Sequence, residues 1–144
     1  MSDFRQVTPT FWASPQISLA DVAEARARGI TLIINNRPER EAADQVAGSE
    51  IEAAAGAAGI GYCAIPVSPA GFGDEEVAAL SAALSHAEGP VLAYCRSGTR
   101  STLLWSAAQA LEGRDLDAIA AEAARAGYDV APIRPILDAL ALRA

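Results

Sequence analysis

The sequence predicts an α/β fold, a mostly parallel sheet with helices on both faces, in one domain over residues 1–144. Three observations carry it. Short apolar, β-branched runs alternate with stretches of helical periodicity. Two of these runs, 30–34 and 90–94, lack the polar alternation of a half-exposed strand, as strands buried on both faces do. The chain has 144 residues, 51% hydrophobic and 20% charged, enough for one sizeable core.

The elements follow in order. Residues 10–17 read as an opening extended segment, interrupted by Pro15. Ser18 with Asp21 three residues on is an aspartate version of the capping box and starts a helix. That helix is expected to bury Leu19, Val22 and Ala23 and to stop at Gly29. The strand Ile30-Thr31-Leu32-Ile33-Ile34 ends in Asn35-Asn36-Arg37-Pro38, polar residues and a proline that break it. A helix fits 49–58 and a strand 59–67. Asp74-Glu75-Glu76 opens a third helix, with acid at the positive helix end and Val77, Leu80 and Leu84 inward. The strand 90–94 runs straight into Cys95. The helix expected over 101–111 turns Leu103, Leu104, Ala107, Ala108 and Leu111 inward. Two further helices fit 116–126 and 132–142, and their default is to pack on the domain's own sheet.

Composition narrows the function classes. A net charge of −7 argues against a nucleic-acid surface, which needs clustered basic charge. Every cation is arginine, which excludes a phosphate-loop lysine and a lysine Schiff base. No apolar run approaches the length of a membrane span, and the start, Met1-Ser2-Asp3-Phe4-Arg5, lacks the pattern of a signal peptide. Cys63 and Cys95 are then expected as free thiols in a cytoplasmic protein. Two cysteines and one histidine make a poor zinc set, so neither metal nor cofactor is expected.

In an open α/β sheet the loops after the strands collect at one edge, where ligands bind. The segments 35–37, 68–74 and 95–100 all follow strands. In Cys95-Arg96-Ser97-Gly98-Thr99-Arg100-Ser101, a strand leads through a short turn into a helix. Backbone N–H groups of the turn and the helix N-terminus favour an anion. Gly98 removes a side chain where backbone and ligand meet, and Arg96 and Arg100 bring full charges. Such neighbours stabilise a thiolate, the nucleophilic form, so Cys95 is the candidate nucleophile. Arg100 would clamp a tetrahedral anion with two parallel hydrogen bonds. Ser101 or Thr99 would cap the helix and reach the sulfur. Cys63, inside a strand with no arginine nearby, reads as packing.

Two enzyme classes use such a loop. Cysteine-dependent phosphatases space cysteine and arginine by five residues; here the spacing is four, and Ser101 stands at the sixth position. In that respect the loop resembles a rhodanese loop, whose tighter turn fits a persulfide. The rest of the chain resembles dual-specificity phosphatases. A strand ending Ile33-Ile34-Asn35-Asn36-Arg37 precedes Tyr62-Cys63-Ala64-Ile65-Pro66. Taken whole, the chain resembles a bacterial family of non-classical dual-specificity-phosphatase-like proteins, whose domain also occurs in beta-lactamase-hydrolase-like proteins. The matching stretches include 33–41, 58–62, 65–67, 89–101, 104–105 and 126–129. The resemblance implies a cysteine-phosphatase-like fold, a cysteine nucleophile at Cys95 and a phosphate-binding arginine at Arg100.

A phosphatase also uses a general acid for the leaving oxygen. The position after the Ile-Pro strand holds Ser68, which serves poorly, and the nearest carboxylate is Asp74, otherwise a helix cap. Glu39 and Glu41 follow a neighbouring strand as further candidates, otherwise solvated charge. Tyr94 stands where many phosphatases carry histidine. His86 reads as surface and Trp105 as packing. The expected partner is a phosphorylated or other anionic substrate, held by Arg96, Ser97, Gly98, Thr99 and Ser101. Three functions stay open: a phosphatase acting through a phospho-cysteine, a sulfurtransferase acting through a Cys95 persulfide, and a non-catalytic anion-binding module.

Overall fold

Continuous apolar runs on short strands need a sheet with both faces covered. In the computed structural model, which describes residues 2–144, five strands form one sheet in the order β1-β2-β5-β3-β4. The strands are β1 (Arg5–Thr8), β2 (Phe11–Ser14), β3 (Leu32–Asn35), β4 (Gly61–Ala64) and β5 (Val91–Tyr94). β1 runs antiparallel to β2 at one edge; the other pairings are parallel. The helices are α1 (Leu19–Ala27), α2 (Gly48–Ala57), α3 (Asp74–His86), α4 (Thr99–Leu111), α5 (Leu116–Arg125) and α6 (Arg134–Ala141), with a 3-10 turn at Ala131–Ile133.

Successive strand side chains point to opposite faces. Phe11, Ala13, Ile34, Val91 and Ala93 therefore face α3 to α6, which contribute Val77, Leu80, Leu104, Trp105, Ile119 and Leu137. Trp12, Ile33, Leu92 and Tyr94 face α1 and α2, which contribute Val22, Ala25, Ile51 and Ala55. α4 lies between sheet and outer helices and is buried on almost every side. Trp105 stacks on Phe11 with ring centroids 5.7 Å apart, which makes it the packing residue the sequence predicted.

The Ser18–Asp21 capping box forms as expected, with both reciprocal hydrogen bonds in place. Several expectations are corrected. α1 buries Val22 and Ala25, while Leu19 is half exposed and Ala23 faces solvent. β1 was not anticipated, because an edge strand with Val7 as its one buried side chain carries little hydrophobic signal. β4 is confined to 61–64; Pro66 removes a ladder donor just beyond it. α4 starts at Thr99, and its N-cap is Gly98 in the left-handed conformation with no side-chain cap. Neither Ser101 nor Thr99 caps it. The segment 132–142 divides into the 3-10 turn and α6. Asp74 does not cap α3 either: Gly73 occupies that position and donates its N–H to Glu76 Oε1 at 2.7 Å.

Parallel pairing puts the strand ends level. Ser14 and Asn35 both pair with Tyr94, and Ala64 pairs with Asn35. The loops after β2, β3, β4 and β5 therefore leave one sheet edge together. Asn36, fully buried, ties three of them. Its N–H donates to Tyr94 O at 2.8 Å, its Nδ2 to Ile65 O at 2.8 Å, and its Oδ1 accepts from Ser101 Oγ at 2.7 Å. Asn36→Ala strands a buried carbonyl and a buried hydroxyl. It should cost about 2–4 kcal/mol in urea denaturation, seen as a lower midpoint at unchanged slope.

Candidate active site

Cys95 is the first residue after the central strand β5, and it is fully buried. Residues 95–98 turn about its sulfur before α4 begins at Thr99, and Arg100 sits in the first turn of that helix. Gly98 donates its N–H to Cys95 Sγ at 3.1 Å, and its φ of 93° needs glycine. The loop's outer edge is pinned by the neighbouring chain. Gln16 N–H donates to Arg96 O at 3.3 Å, and Tyr128 Oη donates to Ser97 O at 3.2 Å. Within the loop Ser97 Oγ donates to Thr99 Oγ1 at 3.0 Å and accepts from Thr99 N at 3.3 Å. Thr102 Oγ1 donates to Gly98 O at 2.9 Å. The side chain of Arg96 stays at the surface.

Arg100 is the site's anchored cation. Its Nη1 donates to Glu41 Oε2 at 2.8 Å and to Val67 O at 2.6 Å, and its Nη2 donates to Glu41 Oε1 at 2.8 Å. These contacts use three of the five guanidinium N–H groups. They leave the Nε–H and one Nη2–H, which form the parallel fork that suits an oxyanion. The nearby Cys95 sulfur favours the charged form of Arg100, after the larger contribution from Glu41.

Glu41 also accepts from Arg37 Nε at 3.0 Å, and Arg37 Nη1 donates to Gln16 Oε1 at 3.0 Å. The three charged side chains are 5% (Arg37), 14% (Glu41) and 16% (Arg100) exposed. Two arginines against one carboxylate leave a surplus positive charge beside the loop, at the N-terminal end of α4, so an arriving anion is attracted twice. The hydrogen bonds from Arg100 hold the Glu41 carboxyl down to about 2, with Arg37 adding and burial opposing.

The residues picked out from the sequence part company here. Cys95, Gly98, Arg100 and Ser101 converge, although Ser101 binds Asn36 rather than the sulfur. Glu41 is not solvated charge, because it clamps Arg100. Glu39 accepts from Gly48 N–H at 2.9 Å and so serves the start of α2. Asp74 is 77% exposed at the first turn of α3 and pairs with Arg143 at 3.1 Å. His86 lies at the surface end of α3. Cys63 is half-buried in β4 as a free thiol whose ionisation burial disfavours. Tyr94 is buried, its hydroxyl has no hydrogen-bond partner among the described residues, and burial pushes its phenol up. Sequence reasoning missed Gln16, Asn36 and Tyr128 as supports, and the clamp of Glu41 on Arg100. For Glu41 a signal existed: Arg37 and Glu41 are four residues apart after a strand.

A cavity of about 290 Å³ opens beside Arg100. Val67, Phe72, Leu103, Ile133 and Ile136 give it an apolar wall. No group of three or more potential metal ligands occurs among the described residues. No helix among the described residues is long and apolar enough to cross a membrane.

The Glu41 carboxylate dictates an acid response. A carboxyl held down to about 2 against an ordinary 4.5 contributes stability that is present above 4.5 and lost as pH falls toward 2. Glu41→Gln removes this contribution. Its stability at neutral pH should drop, and the part of the acid-induced loss between pH 4.5 and 2 that Glu41 supplies should vanish in urea titrations across that range.

Comparison with known proteins bears on the family and the fold. The family model for the phosphatase-like domain of beta-lactamase hydrolase-like proteins matches residues 3–112. The beta-lactamase hydrolase-like protein of Agrobacterium fabrum is 39% identical over 99 residues, which are 69% of this chain and 23% of that protein. The chain thus spans roughly a quarter of that relative's length. A candidate phosphatase of Neisseria meningitidis superposes with a TM-score of 0.86 at 34% identity, over 97% of this chain and 99% of that one. TpbA of P. aeruginosa, solved with phosphotyrosine, shares the fold at a TM-score of 0.67 and 21% identity, over 97% and 88% of the two chains. Cysteine-phosphatase-like architecture and family agree, and the chain belongs to the phosphatase-like domain family of beta-lactamase hydrolase-like proteins.

Proposed function

We propose that this protein is a cysteine-dependent phosphatase that hydrolyses phosphate monoesters through a phospho-cysteine at Cys95. The observation that carries the reading is the Arg100 guanidinium, five residues after Cys95, held by Glu41 and Val67 O through three N–H groups so that its Nε–H and one Nη2–H remain for an anion. Cys95 attacks phosphorus, the phosphoryl oxygens lie on the loop N–H groups and on the Arg100 fork, and the leaving oxygen departs. Water then cleaves the S–P bond, releasing phosphate and restoring the thiolate. Arg96, Ser97, Gly98, Thr99 and Ser101 belong to this cradle as backbone or supporting groups.

The leaving group decides the substrate class. Ser68 follows the β4 exit and cannot protonate well, Asp74 is paired with Arg143, and Glu41 is held ionised. Esters whose leaving group needs no proton are favoured. Aryl phosphates meet that condition, and the apolar cavity beside Arg100 suits an aromatic ring. TpbA, which shares the fold, was seen with phosphotyrosine.

The short spacing between Cys95 and Arg100 favours a second reading, sulfur transfer through a Cys95 persulfide. Incubation with thiosulfate followed by intact-mass measurement tests it: a gain of one sulfur supports it, and an unchanged mass removes it.

For the phosphatase reading, aryl phosphates should be turned over and alkyl phosphates should not, with kcat falling steeply as leaving-group basicity rises. Cys95→Ser should lower kcat by about 10³-fold or more. Arg100→Lys, which keeps charge and loses the fork, should cost about 10²-fold. Asp74→Asn should leave kcat within about twofold. Aryl phosphatase activity that survives Cys95→Ser would contradict the reading.

A further inference from the structure

The loop's N–H groups make an anion cradle only if they point inward, and a peptide plane is free to flip unless something holds it. All peptides among the described residues are trans, so the C=O and N–H of each unit point in opposite directions. In the Ser97–Gly98 unit the inward N–H reaches Cys95 Sγ at 3.1 Å. The outward carbonyl accepts from Tyr128 Oη at 3.2 Å. The preceding unit is pinned in the same sense by Gln16 N–H on Arg96 O at 3.3 Å. Tyr128 comes from the turn after α5, outside the matched stretch 3–112, and the reaction as described does not use it.

We propose that Tyr128 is a positioning residue: its hydroxyl holds the Ser97 carbonyl outward and thereby aims the Gly98 N–H into the anion cradle at Cys95. The ring adds a second constraint. A Cβ at Gly98 would fall 2.1 Å from Tyr128 Oη and 2.8 Å from Cζ, so the turn has closed onto the tyrosine as far as glycine allows. Arg5 from β1 lies over the ring, with its guanidinium carbon 5.2 Å from the centroid. The edge strand, the α5 exit and the nucleophile loop are joined through one phenol. Tyr128 is 7% exposed. Burial, its largest influence, pushes the phenol up, with Cys95 and Asp3 acting in the same direction and Arg5 opposing. The hydroxyl therefore remains a donor at neutral pH. The inference rests on the loop being an anion site, and not on which reaction occurs there.

The test separates positioning from folding and from turnover. Tungstate serves as the probe, read by its protection of Cys95 against alkylation by iodoacetamide in the 144-residue protein. Tyr128→Phe keeps the ring against Gly98 and under Arg5 and removes the donor alone. It should fold with a thermal midpoint near the wild type and need about fivefold more tungstate for equal protection, the weight of one hydrogen bond. With an aryl phosphate, the loss should fall on kcat more than on KM. Site-specific difluorotyrosine at 128 retains the shape, and its electron-withdrawing fluorines bring the ionisation of the phenol down from that of the wild-type tyrosine. Tungstate protection should then weaken as pH rises through that ionisation, with no matching step in the wild type. Equal tungstate protection in Tyr128→Phe and wild type, or no such step, would overturn the proposal, as would a wild type that tungstate never protects. A wild type that is protected but hydrolyses no phosphate ester would instead refute the phosphatase reading and leave the positioning role standing.

Discussion

The Glu41 carboxylate, wedged between Arg37 and Arg100, is the interaction on which the site depends. Left alone, a guanidinium after the nucleophile loop has many rotamers and pays side-chain entropy to bind. Glu41 takes its end-on fork and Val67 O takes one more N–H, so the side fork is fixed before a ligand arrives. The pair is nearly enclosed, which shields it from salt more than a surface pair. Arg37 supplies the second positive charge, so Glu41 holds Arg100 without cancelling the attraction for an anion.

The backbone supplies the complementary constraint. Level parallel strands bring Asn36, Val67 and Cys95 to one edge, and Asn36 locks their exits with hydrogen bonds in the interior. On that platform the nucleophile loop is held at its carbonyls by Gln16 and Tyr128, and at its turn by the left-handed Gly98. Cation and cradle are thus positioned by separate residues: Glu41 acts on the guanidinium, and Tyr128 acts on a peptide plane.

The sequence was legible where the signal is local. β5 and the Cys95 loop read directly, because a buried apolar strand that ends in Cys-Arg-Ser-Gly is a local pattern. The Ser18–Asp21 box read for the same reason. What failed to read was relational. Glu41 and Arg100 lie 59 positions apart, and Tyr128 lies 31 positions from Ser97, so neither pairing has a periodicity to announce it. Ser101 looked like a cap because Ser at a helix start usually is one. The left-handed Gly98 moved the start of α4 two residues earlier and turned Ser101 inward onto Asn36. β1 was silent because half of an edge strand faces water.

One measurement bears most directly on the account: acid quench of the enzyme during turnover of an aryl phosphate, followed by mass spectrometry of the Cys95 peptide. The account predicts one phosphoryl group on Cys95, absent when Arg100 is replaced by alanine and absent without substrate. Phosphate release with Cys95 unmodified at every quench time, or a phosphoryl group on another side chain, would contradict it.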